Sequence, residues 1–426
     1  MSISNNKDYK AIQAILEDAK KRYEMFKSQN LNLDMSRGKP CKEQLSLSDE
    51  LLSCLESYKT KDGTDCRNYG GVDGIPEAKE LFSQMLGVSK NEIIIGGNSS
   101  LNMMYDAIAR AMSFGVYGGK KPWSKHEKVK FLCPSPGYDR HFAICELFGI
   151  EMITIEMKKD GPDIEAIEKL VAEDENIKGI WCVPMYSNPD GITYSDEIVV
   201  RLASMKTKAE DFRIFWDNAY CVHHLSDDHD NLKNILEACK ASGNPDRVYI
   251  FSSTSKITFP GAGVAMMAAS ENNINLAKKH LSIQTIGPDK LNQLRHVVFL
   301  KNMAGIESHM KKHAEILKPK FDAVTDILEK ELSGLDIAYW NKPKGGYFIS
   351  LYTLPGCARE VGEMAFQAGV TLTKVGATYP YGVDPDDRNI RIAPTFPPVD
   401  ELKKAIEIVA ICIKIVSLNR IISQNP

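Results

Sequence analysis

Between about residue 70 and residue 300, apolar runs of strand length alternate with segments of helical period, and this alternation narrows the possible folds most. "IPEAKELFSQMLG" has helical spacing and ends at Gly87, "EIIIGG" is a short buried strand, and "SLNMMYDAIARAM" opens a helix directly after it. "KVKFLCPSPG" is a strand running into a proline-glycine turn, and "GIWCVP", "FRIFWDN" and "RVYIFSS" are three more apolar runs, separated by helical segments near 195–209 and 229–241. Strands covered on both faces lose the polar/apolar alternation of a half-exposed sheet. The pattern therefore predicts an α/β architecture around a mostly parallel sheet.

In such sheets ligands bind beyond the carboxyl ends of the strands. The residues expected there are Asn98, Ser99 and Ser100, then Tyr138, Asn188, Asp217 with Tyr220, and Ser253 to Lys256. Many are polar groups that a core would reject, so their recurrence at strand ends points to one binding crevice. Residues 1–65 and 305–426 read differently, as long helices mixed with antiparallel strands. They predict a smaller lobe built from both chain ends, beside a large domain spanning 66–304.

Charge and cysteine usage exclude several partners. Fifty-three basic and 56 acidic residues give a net charge of −3, with no basic tail for nucleic acid or an anionic membrane. Ten cysteines are scattered without a C-x-x-C pair, so neither a disulfide framework nor a zinc site is expected and no metal is assigned. The first residues lack the pattern of a signal peptide, and "AIEIVAICIKIVSL" is too short and too interrupted by Glu407 and Lys414 to span a bilayer. The expectation is a soluble cytoplasmic protein.

Lys256 sits in "SSTSKITFPGAG", a lysine among hydroxyls and glycines after an apolar strand. A lone lysine in such a loop is ordinarily a solvated surface group; sheltered at a strand end, its amine can attack a carbonyl. Asp217 in "FWDNAY" is either a turn aspartate or an anion that keeps a pyridine nitrogen protonated. Tyr220 and Asn188 could then bond the ring's phenolic oxygen, Tyr138 could stack on the ring, and "GGNSS" leading into a helix offers backbone N–H groups to a phosphate.

Taken in order, "NPDG", "DNAY", "STSK" and "NIRIAP" resemble the fold-type I aminotransferases that use pyridoxal 5'-phosphate, over nearly the whole chain. "MSRGKP", "RNYGGVDGIPEAKELF", "SPGYDRHF" and "TSKITFPGAGVA" are similar to the bacterial aspartate aminotransferases of subgroup Ic. The resemblance implies a mostly parallel seven-stranded sheet with helices on both faces and a second, smaller α+β domain. It implies Lys256 as the Schiff-base lysine, Asp217 as the pyridinium partner, Tyr220 and Asn188 at the ring oxygen, and Tyr138 as the stacking aromatic. Asn98, Ser99, Ser100, Ser253 and Ser255 match the phosphate cup, and Tyr69 a tyrosine reaching the phosphate of a neighbouring subunit, hence a homodimer with shared sites. Arg391 matches the arginine that grips the substrate α-carboxylate, with Asn188 beside it, and Gly38 the glycine closing over it.

Two departures stand out. "ITFPGAGVAMM" carries no arginine for the phosphate, and no arginine lies between Lys256 and Arg295 to bind a second substrate carboxylate. Arg37, Arg140 and Lys290 are the candidates for that second site. The implied reaction exchanges an amino group between an amino acid, aspartate first, and 2-oxoglutarate. Alanine, an aromatic residue or 2-aminoadipate are alternative donors, and a lyase or decarboxylase on the same fold is the rival chemistry. A transcription regulator would need a DNA-binding segment before "MSRGKP", for which residues 1–34 show no basic recognition helix.

Overall fold

The computed structural model describes residues 6–424, so the outermost parts of the expected chain-end lobe, residues 1–5 and 425–426, lie outside the described residues. In chain order the strands are β1 (Leu33–Asp34), β2 (Ile93–Ile95), β3 (Lys130–Ser135), β4 (Glu151–Lys158), β5 (Gly161–Pro162), β6 (Ile177–Cys182) and β7 (Arg213–Asp217). They continue as β8 (Val248–Ser253), β9 (Ala265–Ala269), β10 (Ala338–Trp340), β11 (Ile349–Thr353), β12 (Val370–Thr371) and β13 (Asn389–Ile392).

The large sheet has the order β2-β9-β8-β7-β6-β3-β4-β5. β3, β4, β6, β7 and β8 run parallel, whereas β9 is antiparallel to both of its neighbours. Seven strands match the expected sheet, and an eighth, the two-residue β5, is added. It folds back antiparallel on β4, pairing Met157 with Pro162 and Lys158 with Gly161. Gly161 takes φ +139°, which a side chain rarely tolerates, and Pro162 lacks the N–H that a further strand would need, so the sheet stops there.

Side chains leave the sheet alternately to two apolar layers. Phe131, Trp181, Phe215, Phe251 and Met267 point to one face, against the helices Ser100–Phe114, Asp139–Leu147 and Glu271–Gln284. Leu132, Ile180, Ile214, Trp216 and Ile250 point to the other, under the helices Pro76–Leu86, Ile164–Glu173, Asp196–Ser204 and Ile235–Ala241. Phe131, Phe215 and Phe251 are wholly buried. Each contributes roughly 2–3 kcal/mol by leaving water. With both faces covered, the strand ends are the only edge where polar side chains can be useful.

A third apolar cluster joins both chain ends. Ile12, Leu16 and Tyr23 of the helix Asn6–Lys27 pack with Leu317, Val324, Ile406, Val409 and Ile413, over β11 and β13. β10, β11 and β13 form an antiparallel sheet, and β1 pairs with β12 (Leu33 with Val370, Asp34 with Thr371). The apolar C-terminal stretch is part of the helix Val399–Gln424, where Lys414 donates to Glu331 at 2.6 Å and Glu407 accepts from Arg22 at 2.7 Å. No described helix is long and apolar enough to cross a membrane.

Candidate active site

Because β3, β6, β7 and β8 are parallel, the segments that follow them leave the sheet at the same edge. Asp217 is the last residue of β7 and only 3 % exposed. Its Oδ2 lies 3.1 Å from Nε2 of His141, while its Oδ1 is buried without a hydrogen-bond partner. A buried carboxylate oxygen left unpaired costs free energy that folding alone does not recover. His141 is in turn clamped: it stacks on Trp181 (4.3 Å between centroids, 11° apart) and meets Tyr138 edge-on at 4.9 Å. The sequence reading passed over His141. It follows the N-cap residue Tyr138 within the first turn of the helix, but its partner Asp217 lies 76 positions further on, so no local pattern marks it.

Lys256 lies in the turn after β8, half-buried. Burial lowers the pKa of its amine, and the Asp217 carboxylate only partly offsets this. The Nζ sits 5.2 Å from the ring centre of Tyr220 and 5.6 Å from that of Tyr347. A sheltered lysine with a depressed pKa is a better nucleophile than a solvated one. Tyr220 is buried, and burial first, then the nearby Tyr138 and Asp217, pushes its hydroxyl well above the ordinary phenol range. Tyr347 takes a hydrogen bond from Gln44 Nε2 at 3.0 Å, which also contacts His313 Nδ1 at 3.0 Å. His223, buried beside Lys256, is held neutral by desolvation and by that lysine's charge. Neither Tyr347 nor His223 was foreseen; both come from apolar-looking stretches, "CVHH" and "GGYF", that give no spacing signal.

Arg391 enters from β13, pairing opposite Ser350 of β11, and is 8 % exposed. Its Nη1 donates to Asn188 Oδ1 at 3.3 Å and to Asp139 Oδ1 at 3.1 Å, and its Nε donates to Thr373 Oγ1 at 3.3 Å. The guanidinium lies 4.9 Å over the ring of Phe348. Gly38 approaches the same ring so closely that a Cβ there would overlap Phe348 Cζ. Glycine is favoured at this position by contact, not by backbone angle, since any side chain must displace Phe348. Thr373 also donates to the carbonyl of Ser36 at 2.8 Å, fastening the "MSRGKP" segment beside Arg391.

The hydroxyl cluster forms a second centre. Ser253 Oγ donates to Ser255 Oγ at 3.0 Å, and Ser255 Oγ donates to the carbonyl of Asn98 at 3.3 Å. Ser99 is the N-cap of the helix Ser100–Phe114, with no side-chain cap bond, so the first-turn N–H groups beside Ser99 and Ser100 stay available. The four remaining sequence candidates differ in exposure. Tyr69 is 82 % exposed, and Arg37 and Arg140 are exposed. Lys290 is buried and donates to the carbonyl of Gly70 at 2.7 Å, which commits it to the loop carrying Tyr69 rather than to a substrate.

The architecture is that of the fold-type I aminotransferases. An α-aminoadipate aminotransferase from Thermus thermophilus, solved with N-(5'-phosphopyridoxyl)-L-leucine, shares it with a TM-score of 0.74 at 18 % identity, covering 92 % of this chain and 93 % of that one. Residues 8–425 match the family model described as aspartate amino-transferase. An aspartate aminotransferase of Corynebacterium glutamicum is 46 % identical over 408 residues, 95 % of this chain and 94 % of the relative. A crystal structure of an aspartate transaminase from the same species superposes with a TM-score of 0.95 at 45 % identity, covering 97 % of this chain and 98 % of that one. The chain belongs to the aspartate amino-transferase family and is an aminotransferase.

Proposed function

We propose that this aminotransferase moves the amino group of aspartate to 2-oxoglutarate, with pyridoxal 5'-phosphate as its cofactor, as a cytoplasmic homodimer. The name carried by the Corynebacterium glutamicum relative at 46 % identity supports aspartate as donor. Ten free cysteines support a reducing compartment. The exposed ring of Tyr69 supports a role toward a second subunit. The apolar cluster shared by both chain ends supports a division into a large domain, 66–304, and a lobe of residues 1–65 with 305–426.

The observation that carries the reading is Asp217: a buried carboxylate whose Oδ2 is held by His141 and whose Oδ1 has no partner. A protonated ring nitrogen would satisfy that oxygen, so the residues fit the cofactor. Bound there, pyridoxal phosphate supplies an aldehyde that captures amines and a ring that accommodates the electron pair released at the substrate's Cα. Every other task falls to the chain. Asp217, fixed by His141, would hold the positive charge on the ring nitrogen. Tyr220 and Asn188 would bond the ring oxygen, and Tyr138 would cover the ring face. Asn98, Ser99, Ser100, Ser253 and Ser255 would bind the phosphate through hydroxyls and helix N–H groups, in place of an arginine. Lys256 would hold the aldehyde carbon, and its Nζ, sheltered beside Tyr220 and Tyr347, would be the base that moves the substrate's Cα proton. Arg391 and Asn188 hold the substrate α-carboxylate, and Gly38 closes over it. Arg37 is the proposed contact for a second carboxylate.

Aspartate, alanine, an aromatic amino acid and 2-aminoadipate, each assayed with and without 2-oxoglutarate, test the proposal. Aspartate should give the highest kcat/KM, and product should require the oxo acid. A tenfold preference for another donor would overturn the substrate, and turnover without an oxo acid would make the enzyme a lyase. Lys256→Ala should abolish nearly all turnover and the visible absorbance of the lysine-linked cofactor; an active alanine variant would remove the lysine from the mechanism.

A further inference from the structure

The donors of Arg391 are more heavily used than a substrate-binding arginine should allow. A guanidinium carries five N–H groups, one on Nε and two on each terminal nitrogen. Both N–H groups of Nη1 are taken, by Asp139 Oδ1 (3.1 Å) and Asn188 Oδ1 (3.3 Å), and that of Nε by Thr373 Oγ1 (3.3 Å). A two-pronged grip on a carboxylate needs parallel N–H groups from two different nitrogens. Nη2 can provide one. The other has to be released by a partner already in place.

The three partners are not equal. Asn188 is 4 % exposed, and Thr373 is tied to the Ser36 carbonyl at 2.8 Å. Both are neutral and compatible with a second carboxylate. The Asp139 side chain is 35 % exposed and carries a negative charge that an incoming carboxylate repels. It also has somewhere to go: Asp139 is the first residue of the helix Asp139–Leu147, where free N–H groups and the positive end of the helix favour a carboxylate. Resting on the assignment of Arg391 to the substrate α-carboxylate, we infer that Asp139 is a resident carboxylate that occupies Arg391 between turnovers and is displaced when substrate binds.

Its role is positioning and specificity rather than chemistry. Paired with Asp139, the buried guanidinium is neutralised while the site waits for substrate, which an unpaired charge at that depth would make costly. Each carboxylate ligand then has to compete with the enzyme's own, which weakens weak binders most visibly. Residues 138–141 place Tyr138, Asp139 and His141 on one turn, so release of Asp139 is felt next to the aromatic over the ring and the histidine on Asp217.

Titration calorimetry of the holoenzyme with succinate, a dicarboxylate without an amino group, tests this. Asp139→Asn should tighten succinate by roughly three- to tenfold, as expected for loss of a half-exposed competing charge. It should lower KM for the amino acid donor by a similar factor and change kcat less. Asp139→Ser, which retains a side chain suited to a helix start, should act in the same direction and covers the case where the asparagine variant misfolds. Weaker or unchanged succinate binding in the folded variants would overturn the inference, since a residue that merely orients Arg391 loses affinity when neutralised. Arg391→Lys made alone and with Asp139→Asn separates the two readings. It should weaken succinate in both backgrounds; undiminished binding would remove Arg391 from the carboxylate site, whatever Asp139 does.

Discussion

His141→Phe isolates one hydrogen bond at the centre of the site. The substitution keeps an aromatic ring to stack on Trp181 and meet Tyr138, and removes the nitrogen that faces Asp217 Oδ2 at 3.1 Å. With Oδ1 already lacking a partner, Asp217 would be left with no side-chain hydrogen bond at 3 % exposure. A hydrogen bond to a charged group is worth about 1.5–3 kcal/mol, and a partner orphaned in the interior costs a comparable amount. At 1.36 kcal/mol per tenfold, that corresponds to roughly 10- to 150-fold in any step that depends on the Asp217 charge. Steady-state kinetics should show kcat reduced by about that factor with KM changed little, because the proposed contact for the substrate carboxylate, Arg391, does not touch His141 or Asp217. Denaturant unfolding of the cofactor-free protein should show a loss of about 1–3 kcal/mol. If stability falls by that amount while kcat stays within about twofold, the Asp217 charge does not support the reaction.

Gly38→Ala should raise KM for the amino acid with a smaller effect on kcat, because the new methyl displaces Phe348, on which the Arg391 guanidinium lies at 4.9 Å; unchanged KM would show that the segment moves freely. Glu331 accepts from Arg22 Nη1 at 2.9 Å and Lys414 Nζ at 2.6 Å, and Arg22 first among these lowers its pKa to about 2. A depressed acid pKa stabilises the fold above the ordinary value of 4.5, and that gain is lost as pH falls from there through about 2. Glu331→Gln should therefore cost about 3 kcal/mol at neutral pH by leaving Lys414 without its counter-charge, and the gap to the parent should narrow on acidification in denaturant titrations. Asp190 behaves oppositely: burial raises its pKa to about 6, despite the bond from Tyr352 Oη at 2.5 Å. The folded state then holds the proton more tightly, so this carboxyl costs stability as pH rises from 3.8 through about 6. Asp190→Asn should raise the unfolding midpoint at neutral pH and leave it unaltered below pH 4.

Which parts of this molecule were legible in its sequence follows from where the physical signal is local. β6, β7 and β8 announce themselves because burial on both faces leaves runs such as "FRIFWDN" with no alternation, and β7 and β8 end abruptly in polar residues. β9 escaped notice because "AMMAA" consists of helix-favouring residues. It becomes a strand only because β8 and β2 offer ladders on both sides, as Ile250 pairs with Ala268 and Ile94 with Met267. β4 escaped for the opposite reason: near the sheet margin, with Glu151 and Glu156 exposed, it lacks a continuous apolar run. Lys256, Asp217 and Asn188 were readable because a strand end is a local event. Asp139 and His141 were not: each gains its meaning from a partner far along the chain, Arg391 and Asp217 respectively, and no spacing in "YDRHF" predicts either contact.

The same contrast explains why this site can be rigid at one end and yielding at the other. Asp217 is the last residue of a strand with neighbours on both sides, and its histidine is pinned between Trp181 and Tyr138, so the acid has almost no freedom. Arg391 comes instead from the three-stranded sheet and meets the large sheet's loops through the side chains of Asn188 and Asp139, while the ring under its guanidinium, Phe348, directly precedes β11 of its own sheet. An electron sink gains from a charge that does not move, because reorganisation at the moment of reaction adds to the barrier. A carboxylate clamp has to admit and release a ligand in every cycle, so its contacts must be exchangeable. A fixed acid on a central strand and a guanidinium held by replaceable partners are what those two demands require. The half-exposed carboxylate of Asp139 is the most readily exchanged of them.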